Sequence, residues 1–324
     1  MKKWTKIFVV LMIAVLVLTA GTFAAKKKIT VGYAQIGAES EWRTANTRSV
    51  QQAAIDFDIN LLFVDAQQQQ QNQIKALRTF VAKKVNVIFL APVVESGWGP
   101  VLREVKKAKI PLVLVDRNVD EKDTSLWVAH MGADFVAEGK KAGKWLGDYL
   151  KAQGIDDGKK QINIAELQGT VGSAPAIDRK SGFEAVMKAE HPNWKITRSQ
   201  TGNFTRSEGK AVMEAFLKAD KNIQVLYAHN DDMALGAIQA IEEAGIKPGK
   251  DIIIVSVDAV KGAFQAMIDG KLNCTVECSP LLGPQMMQTA LDIVAKKPIP
   301  REVWTIEGVF DQTVAAKEFP NRQY

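Results

Sequence analysis

The chain has 324 residues, 47% of them hydrophobic and 24% charged, with a formal net charge of +6 at pH 7. This is the composition of a globular protein long enough for two domains. Three of the positive charges belong to a leader and most of the remainder to Lys26, Lys27 and Lys28, so the body of the chain carries no electrostatic footprint for nucleic acid. The two cysteines, Cys274 and Cys278, lie on one expected strand with their Cα atoms about 13 Å apart, beyond disulfide reach. Three scattered histidines leave no metal site to argue for, and no cofactor is called for.

Residues 1–24 read as an export signal. Lys2, Lys3 and Lys6 precede the apolar run Ile7 to Leu18, and Thr22, Phe23 and Ala24 offer small residues for cleavage. As a helix that run spans about 18 Å against about 30 Å of hydrocarbon, too short for an anchor. No cysteine stands at the cleavage site to take a lipid, and no later stretch has the length of a membrane helix. A soluble, exported product is expected.

From Ile29 onward, short apolar runs alternate with segments of 3.6-residue periodicity, the pattern of repeated β-α units and a parallel sheet. Strands are predicted at Ile29 to Ala34, Asn60 to Val64, Val87 to Ala91 and Leu112 to Val115. Helices are predicted between them at Trp42 to Phe57, Gln67 to Lys83 and Gly99 to Lys109, the glutamine run Gln67 to Gln71 forming an exposed first turn. A less regular piece, Ser125 to Val128, leads to the helix Asp134 to Leu150 and a surface loop, Lys151 to Lys160. A second series follows, with strands at Gln161 to Leu167, Lys195 to Ser199, Gln224 to Ala228 and Ile252 to Val257. Its helices lie near Ala176 to Lys188, Arg206 to Lys218, Asp231 to Ala244 and Lys261 to Asp269. The leftover Leu272 to Cys278, helix Pro284 to Ala295 and strand Val303 to Gly308 are too few for a third core and must complete the first two. The expected lobes are 25–130 with 279–309 and 131–278 with 310–324, with crossings near His130, Ser279 and Phe310.

The stretch Ile110 to Val119 is the most telling. A buried apolar strand ends abruptly at Asp116 and Arg117, and in open α/β sheets ligands bind beyond the carboxyl ends of the strands. Other strands end the same way: Val64 before Asp65, Ala228 before His229, Asn230 and Asp231, Val257 before Asp258. Asp65 and Asp231 read better as helix caps. Asp116, Arg117, Asn230 and Asp258 would converge on one interdomain cleft. The loop Gly37 to Arg43 adds Glu39, Ser40, Glu41, Trp42 and Arg43, and an aromatic face beside charged hydrogen-bonding groups suits a sugar ring. Arg179, near a helix start, would be a further donor or a solvated helix arginine.

The segments E-S-E-W-R at Glu39 to Arg43, A-P-V-V-E-S-G-W at Ala91 to Trp98, V-D-R-N at Val115 to Asn118, E-L-Q-G-T-V-G-S-A-P-A-I-D-R-K-S-G-F at Glu166 to Phe183, F-T-R-S-E-G-K at Phe204 to Lys210 and Y-A-H-N-D-D-M-A-L-G at Tyr227 to Gly236 carry a resemblance. Through them the chain resembles the periplasmic sugar-binding proteins of ABC importers, the ribose and galactose type, nearest to their galactofuranose-binding branch. The resemblance implies a type I periplasmic binding protein fold, two doubly wound parallel-sheet lobes joined by a multi-crossing hinge. It also implies a monomer in the periplasm that closes on a monosaccharide and delivers it to a permease, with a chemoreceptor as a further partner. Family sugar contacts fall on Glu39, Trp42, Arg43, Asp116, Arg117, Arg179, Asn230 and Asp258. Where ribose-binding relatives often carry a hinge glutamine, this chain has Cys278.

The residues also bear on two other classes. Asp116 and Asp258 resemble the carboxylate pair of a glycoside hydrolase, but Arg117 beside Asp116 favours the ionised form over a general acid. A repressor's effector domain shares the fold, but the export signal and the lack of an N-terminal DNA-binding helix pair argue against it. No G-x-G-x-x-G, P-loop or G-x-S-x-G is present.

Overall fold

Aliphatic and β-branched runs supply the strands of the computed structural model, which describes residues 28–324. The expected export signal lies outside those residues. The strands are β1 (Thr30–Gln35), β2 (Asn60–Asp65), β3 (Val87–Leu90), β4 (Leu112–Val115), β5 (Ala129–Gly132), β6 (Ile162–Gln168), β7 (Trp194–Thr201), β8 (Val225–Ala228), β9 (Ile253–Asp258), β10 (Cys274–Glu277), β11 (Glu302–Trp304) and β12 (Val309–Asp311). The helices are α1 (Glu41–Asp56), α2 (Gln70–Ala82), α3 (Gly99–Lys107), α4 (Phe135–Ala152), α5 (Ala174–Glu190), α6 (Arg206–Ala219), α7 (Asp231–Glu243), α8 (Lys261–Ile268), α9 (Gly283–Val294) and α10 (Gln312–Glu318).

Two six-stranded sheets result, in the orders β11-β5-β4-β3-β1-β2 and β12-β10-β9-β8-β6-β7. The described pairs are parallel except β10 with β12. Because side chains alternate along a strand, Val87 and Phe89 of β3 join Val113 and Val115 of β4 in one core layer with α1 and α9, while Ile88, Leu90, Leu112 and Leu114 face α2 and α3. Both faces are covered, which is why these strands read as unbroken apolar runs. Each sheet reverses its strand order once, at β1/β3 and at β6/β8, and the crevice outside that switch point is where an open α/β sheet takes its ligand.

The lobes exchange chain between β5 and α4, between β10 and α9, and between β11 and β12. His130 and Phe310 are paired strand residues rather than crossing points, so the first crossing falls after Gly132 and the third before Val309. Several short elements differ from expectation. Gln67 and Gln68 have φ of 53° and 59°, a turn fixed by Asp65 Oδ1 accepting from Gln67 N–H, and α2 starts only at Gln70. The less regular piece at Ser125 does hold only a 3₁₀ turn, Thr124–Leu126, but a strand that was not expected, β5, follows it. The expected strand Val303 to Gly308 stops at Trp304, and β12 and α10 follow beyond it.

Candidate functional site

The cleft is assembled at the carboxyl edges of both sheets. After β1 the loop delivers Glu39 and Ser40, and Ser40, extended at φ −142°, caps α1 by accepting from the Arg43 N–H at 3.0 Å. That cap sets the direction of the first turn, so Trp42 and Arg43 enter the cleft on one helix face. Beyond β4, Asp116 takes φ of 62°, and at the last position of β9, Asp258 takes φ of 128°. Such backbone costs about 1–3 kcal/mol for a residue with a side chain and persists only where the surroundings impose it. For Asp116 the imposing groups are visible. Its N–H donates to the Met131 carbonyl at 2.8 Å, His130 Nε2 lies 3.2 Å from its carbonyl, and a Cβ on Gly132 would come within 2.9 Å of its Cα. Both carboxyl groups are thereby turned out of strand geometry at the mouths of their sheets.

A polar cavity lies between the lobes. The first lobe lines it with Glu39, Ser40, Trp42, Arg43, Asp116 and Arg117; the second with Phe135, Pro175, Arg179, Phe204, Asn230 and Asp258; the hinge with Cys278. The charged lining groups are almost wholly buried, Arg43, Arg117 and Arg179 being 3% exposed, so this is a shut cleft. Arg43 Nη2 donates to Asp116 Oδ2 at 2.7 Å and Nε to Glu39 Oε1 at 3.1 Å. Arg179 Nε donates to Glu138 Oε2 at 2.7 Å and Nη1 to the His229 carbonyl at 2.6 Å, while Asp258 stands 3.7 Å from its Nη2. Arg117 is less well served. Its Nη1 donates to the Val93 carbonyl at 2.9 Å, its carboxylate neighbours are 3.9–4.0 Å away and its Nε has no partner. Burial and the neighbouring Arg43 push it down to about 10, still charged at neutral pH. Burial, with Asp231, Glu138 and Asp232 nearby, raises Asp258 well above the carboxylate range against the opposing pull of Arg179.

Each guanidinium also lies over an aromatic ring: Arg43 over Trp42 at 4.5 Å, Arg179 over Phe135 and, across the cleft, Arg117 over Phe204, both at 5.2 Å. Trp42, expected as a stacking platform, lines the cavity and is held on two sides. One face is given to Arg43 and its indole Nε1–H donates to the Cys278 carbonyl at 2.6 Å, tying α1 to the hinge. Asn230 lines the cavity and also caps α7, its Oδ1 accepting from Met233 N–H at 3.0 Å while Nδ2 donates to the Phe204 carbonyl at 3.1 Å. Asp231, expected as a cap, instead lies buried under the cavity floor, accepting from Thr275 Oγ1, Ser256 Oγ and the Val260 N–H.

Glu41 is the expected site residue that the structure leaves out of the cavity. Its side chain is at the rim, Oε2 lying 3.7 Å from Arg206 Nη2, and its N–H donates across the lobes to Asp232 Oδ2 at 2.7 Å. As the first residue of α1 it points along the outer edge, a turn away from Glu39. Phe135, Pro175 and Phe204 were not picked out by sequence reasoning. The only local signal was that Pro175 and Phe204 stand inside motif segments, Phe204 at the head of F-T-R-S-E-G-K; Phe135 stands in none.

Two α/β lobes, three chain crossings and a polar cavity closed between them define a periplasmic binding protein. The chain belongs to that family, whose periplasmic binding protein domain model matches residues 31–298. Among relatives, it is 52% identical to the galactofuranose-binding protein YtfQ of Escherichia coli over 79% of both chains. A Mycobacterium smegmatis protein solved in complex with β-D-fucofuranose is 51% identical and superposes with a TM-score of 0.87 over 91% of this chain and 95% of that one. The binding protein of the arabinose ABC transporter from Shewanella sp. ANA-3, bound to α- and β-L-arabinofuranose, is 51% identical with a TM-score of 0.85 over the same shares.

Proposed function

We propose that this chain is the solute-binding component of an ABC sugar importer, and that its cleft closes on one uncharged monosaccharide in its furanose form, galactofuranose first. The observation that carries the reading is the charge balance of the cavity. The guanidinium groups of Arg43, Arg117 and Arg179 are matched by the buried carboxylates of Glu39, Asp116 and Glu138, and burial favours the neutral form of the fourth acid, Asp258. A sugar phosphate or sugar acid would add an unpaired buried charge, whereas a neutral polyol inserts hydroxyls that donate to the carboxylates and accept from the guanidinium groups. A hexose has about twelve heavy atoms, and micromolar affinity asks about −8 kcal/mol of them, within the per-atom ceiling. The furanose form is supported by the ligands of the two similar solved structures and by the E. coli relative's name.

On this reading the protein is exported to the periplasm with its leader removed, works as a monomer without covalent chemistry, and hands the sugar to a membrane permease. A chemoreceptor is a second partner for the same closed form. The test is thermal shift followed by calorimetry with D-galactose, L-arabinose, D-fucose, D-ribose and D-fructose, the ligand being recovered and analysed afterwards. Saturable binding led by galactose, with the sugar returned intact, is expected. Preference for ribose or fructose overturns the galactofuranose assignment, and conversion of the sugar overturns the carrier.

A further inference from the structure

Behind Arg179, where the three crossings meet, Glu138 on α4, Cys278 after β10 and Glu307 in the third crossing bring their oxygen and sulfur atoms within 4.8 Å of one another. Glu138 is fully buried. Its Oε2 is taken by Arg179, while Oε1 has no donor among the side chains carrying fixed protons. Glu307 spends one oxygen on two donors, Thr305 Oγ1 at 2.8 Å and the Ser279 N–H at 3.2 Å, and a carboxyl oxygen of Glu307 lies within 4.8 Å of one of Glu138. Two carboxylates in a dry space this small are held together by a shared proton.

We propose that Glu307 is a positioning residue: it sits in the hinge as the protonated acid, donates to the orphan oxygen of Glu138, and so holds Glu138 where it aims Arg179 into the cleft. This rests on the reading of the cleft as a sugar site. Burial and the Glu138 carboxylate push Glu307 up to about 9. The titratable and charged groups around it are Glu138 and Arg179, the Cys278 thiol, itself driven up by burial, Asp258 beyond Arg179, and Lys141, whose Nζ donates to the Glu307 carbonyl at 2.9 Å. A divalent cation would find the same donors, but Arg179 already places a full positive charge on Glu138, and a proton satisfies the open oxygen without adding a second one. The arrangement joins the hinge to the ligand donor, so the closed hinge and an aimed Arg179 come together.

The test compares wild type with Glu307→Gln and Glu307→Ala, titrating by calorimetry from about pH 6 to pH 10.5 the sugar that gives the largest thermal shift. Gln keeps the shape and the donor and has no proton to lose. The expected result is a wild-type affinity that is level near neutrality and falls at least about tenfold once the proton leaves above about pH 9. Glu307→Gln should match wild type at pH 7 and still hold that affinity at about pH 9, falling only nearer to about 10 where Arg117 loses its proton, while Glu307→Ala should be weak throughout. A Gln variant as weak as Ala, or with the same alkaline fall as wild type, overturns the proposal. If wild type binds no sugar in the panel, the carrier reading fails separately, and the proton is read from the sugar-free protein. The folded chain holds it more tightly than the unfolded chain, so wild-type stability relative to Glu307→Gln is greatest below about pH 4 and declines until the proton leaves near 9. Parallel melting curves across that window overturn the assignment. So does a rise in melting temperature with zinc alone that Glu307→Ala abolishes, since the cluster would then be a cation site.

Discussion

Arg117 shows how a single side chain divides stability from binding. Its guanidinium is buried, its Nε has no partner, and its nearest carboxylates are beyond hydrogen-bond distance, so the sugar-free fold gains little from it. A ligand hydroxyl or ring oxygen would supply the acceptor that it lacks. Arg117→Ala is therefore expected to cost at least about 2 kcal/mol of sugar binding, roughly 30-fold or more, while the melting temperature of the free protein barely moves. Calorimetry and a melting curve on the same preparation check this. A destabilised protein that binds normally would make Arg117 a structural residue. At this scale the strand-ending polar groups were legible, because an apolar run stopping at Asp-Arg or before Asn is a local pattern with a local meaning. Phe135 and Phe204 were not. A lone aromatic carries no mark of whether it faces a core or a cavity, and Phe204 reaches the cleft only because its backbone takes φ of 63° and the missing Cβ of Gly169 makes room for its ring.

Among the elements, the starts of α1 and α7 meet across the rim. The Glu41 N–H of α1 donates to the carboxylate of Asp232, in the first turn of α7, and Arg206 of α6 contacts both acids. One acidic side chain thus serves the positive ends of two helices belonging to different lobes. The contact exists only when the cleft is shut and touches no part of the cavity. Asp232→Ala should consequently weaken sugar binding by about 1–2 kcal/mol, roughly 5- to 30-fold, almost entirely through faster release. Stopped-flow dissociation measures it, and an unchanged release rate in a normally folded variant would remove the rim contact from the account. The long helices and central strands were readable from periodicity, since Leu112–Val115 or the α7 run bury the same side chains whatever lies beyond them. The short strands β5, β11 and β12 were misplaced or missed, because they exist through pairing with segments far away in sequence, as Glu302 with His130 and Phe310 with Thr275.

For the whole molecule, the main lining ion pairs lie within each lobe while the Glu41–Asp232 rim contact and Arg117 over Phe204 join the lobes, so a ligand that bridges the lining groups of both shifts the population toward the shut form by its differential contacts. Small-angle scattering should show the radius of gyration falling when saturating sugar is added, with no change in molecular mass. Identical scattering with and without bound sugar would mean that the lobes do not move on binding.

By itself the sequence determined two α/β lobes, three crossings between them and a set of polar strand ends, because β-α periodicity and the chemistry at the end of an apolar run are written within a few neighbouring residues. The tertiary structure decided which of those groups share one cavity. Glu39 and Glu41 look alike two positions apart, and only the Ser40 cap and the closure of the lobes send one inward and leave the other on the rim. It also decided the meeting of Glu138, Cys278 and Glu307, drawn from positions up to 169 residues apart in the chain. Proximity of that kind depends on where the hinge brings the crossings together, and no local pattern records it.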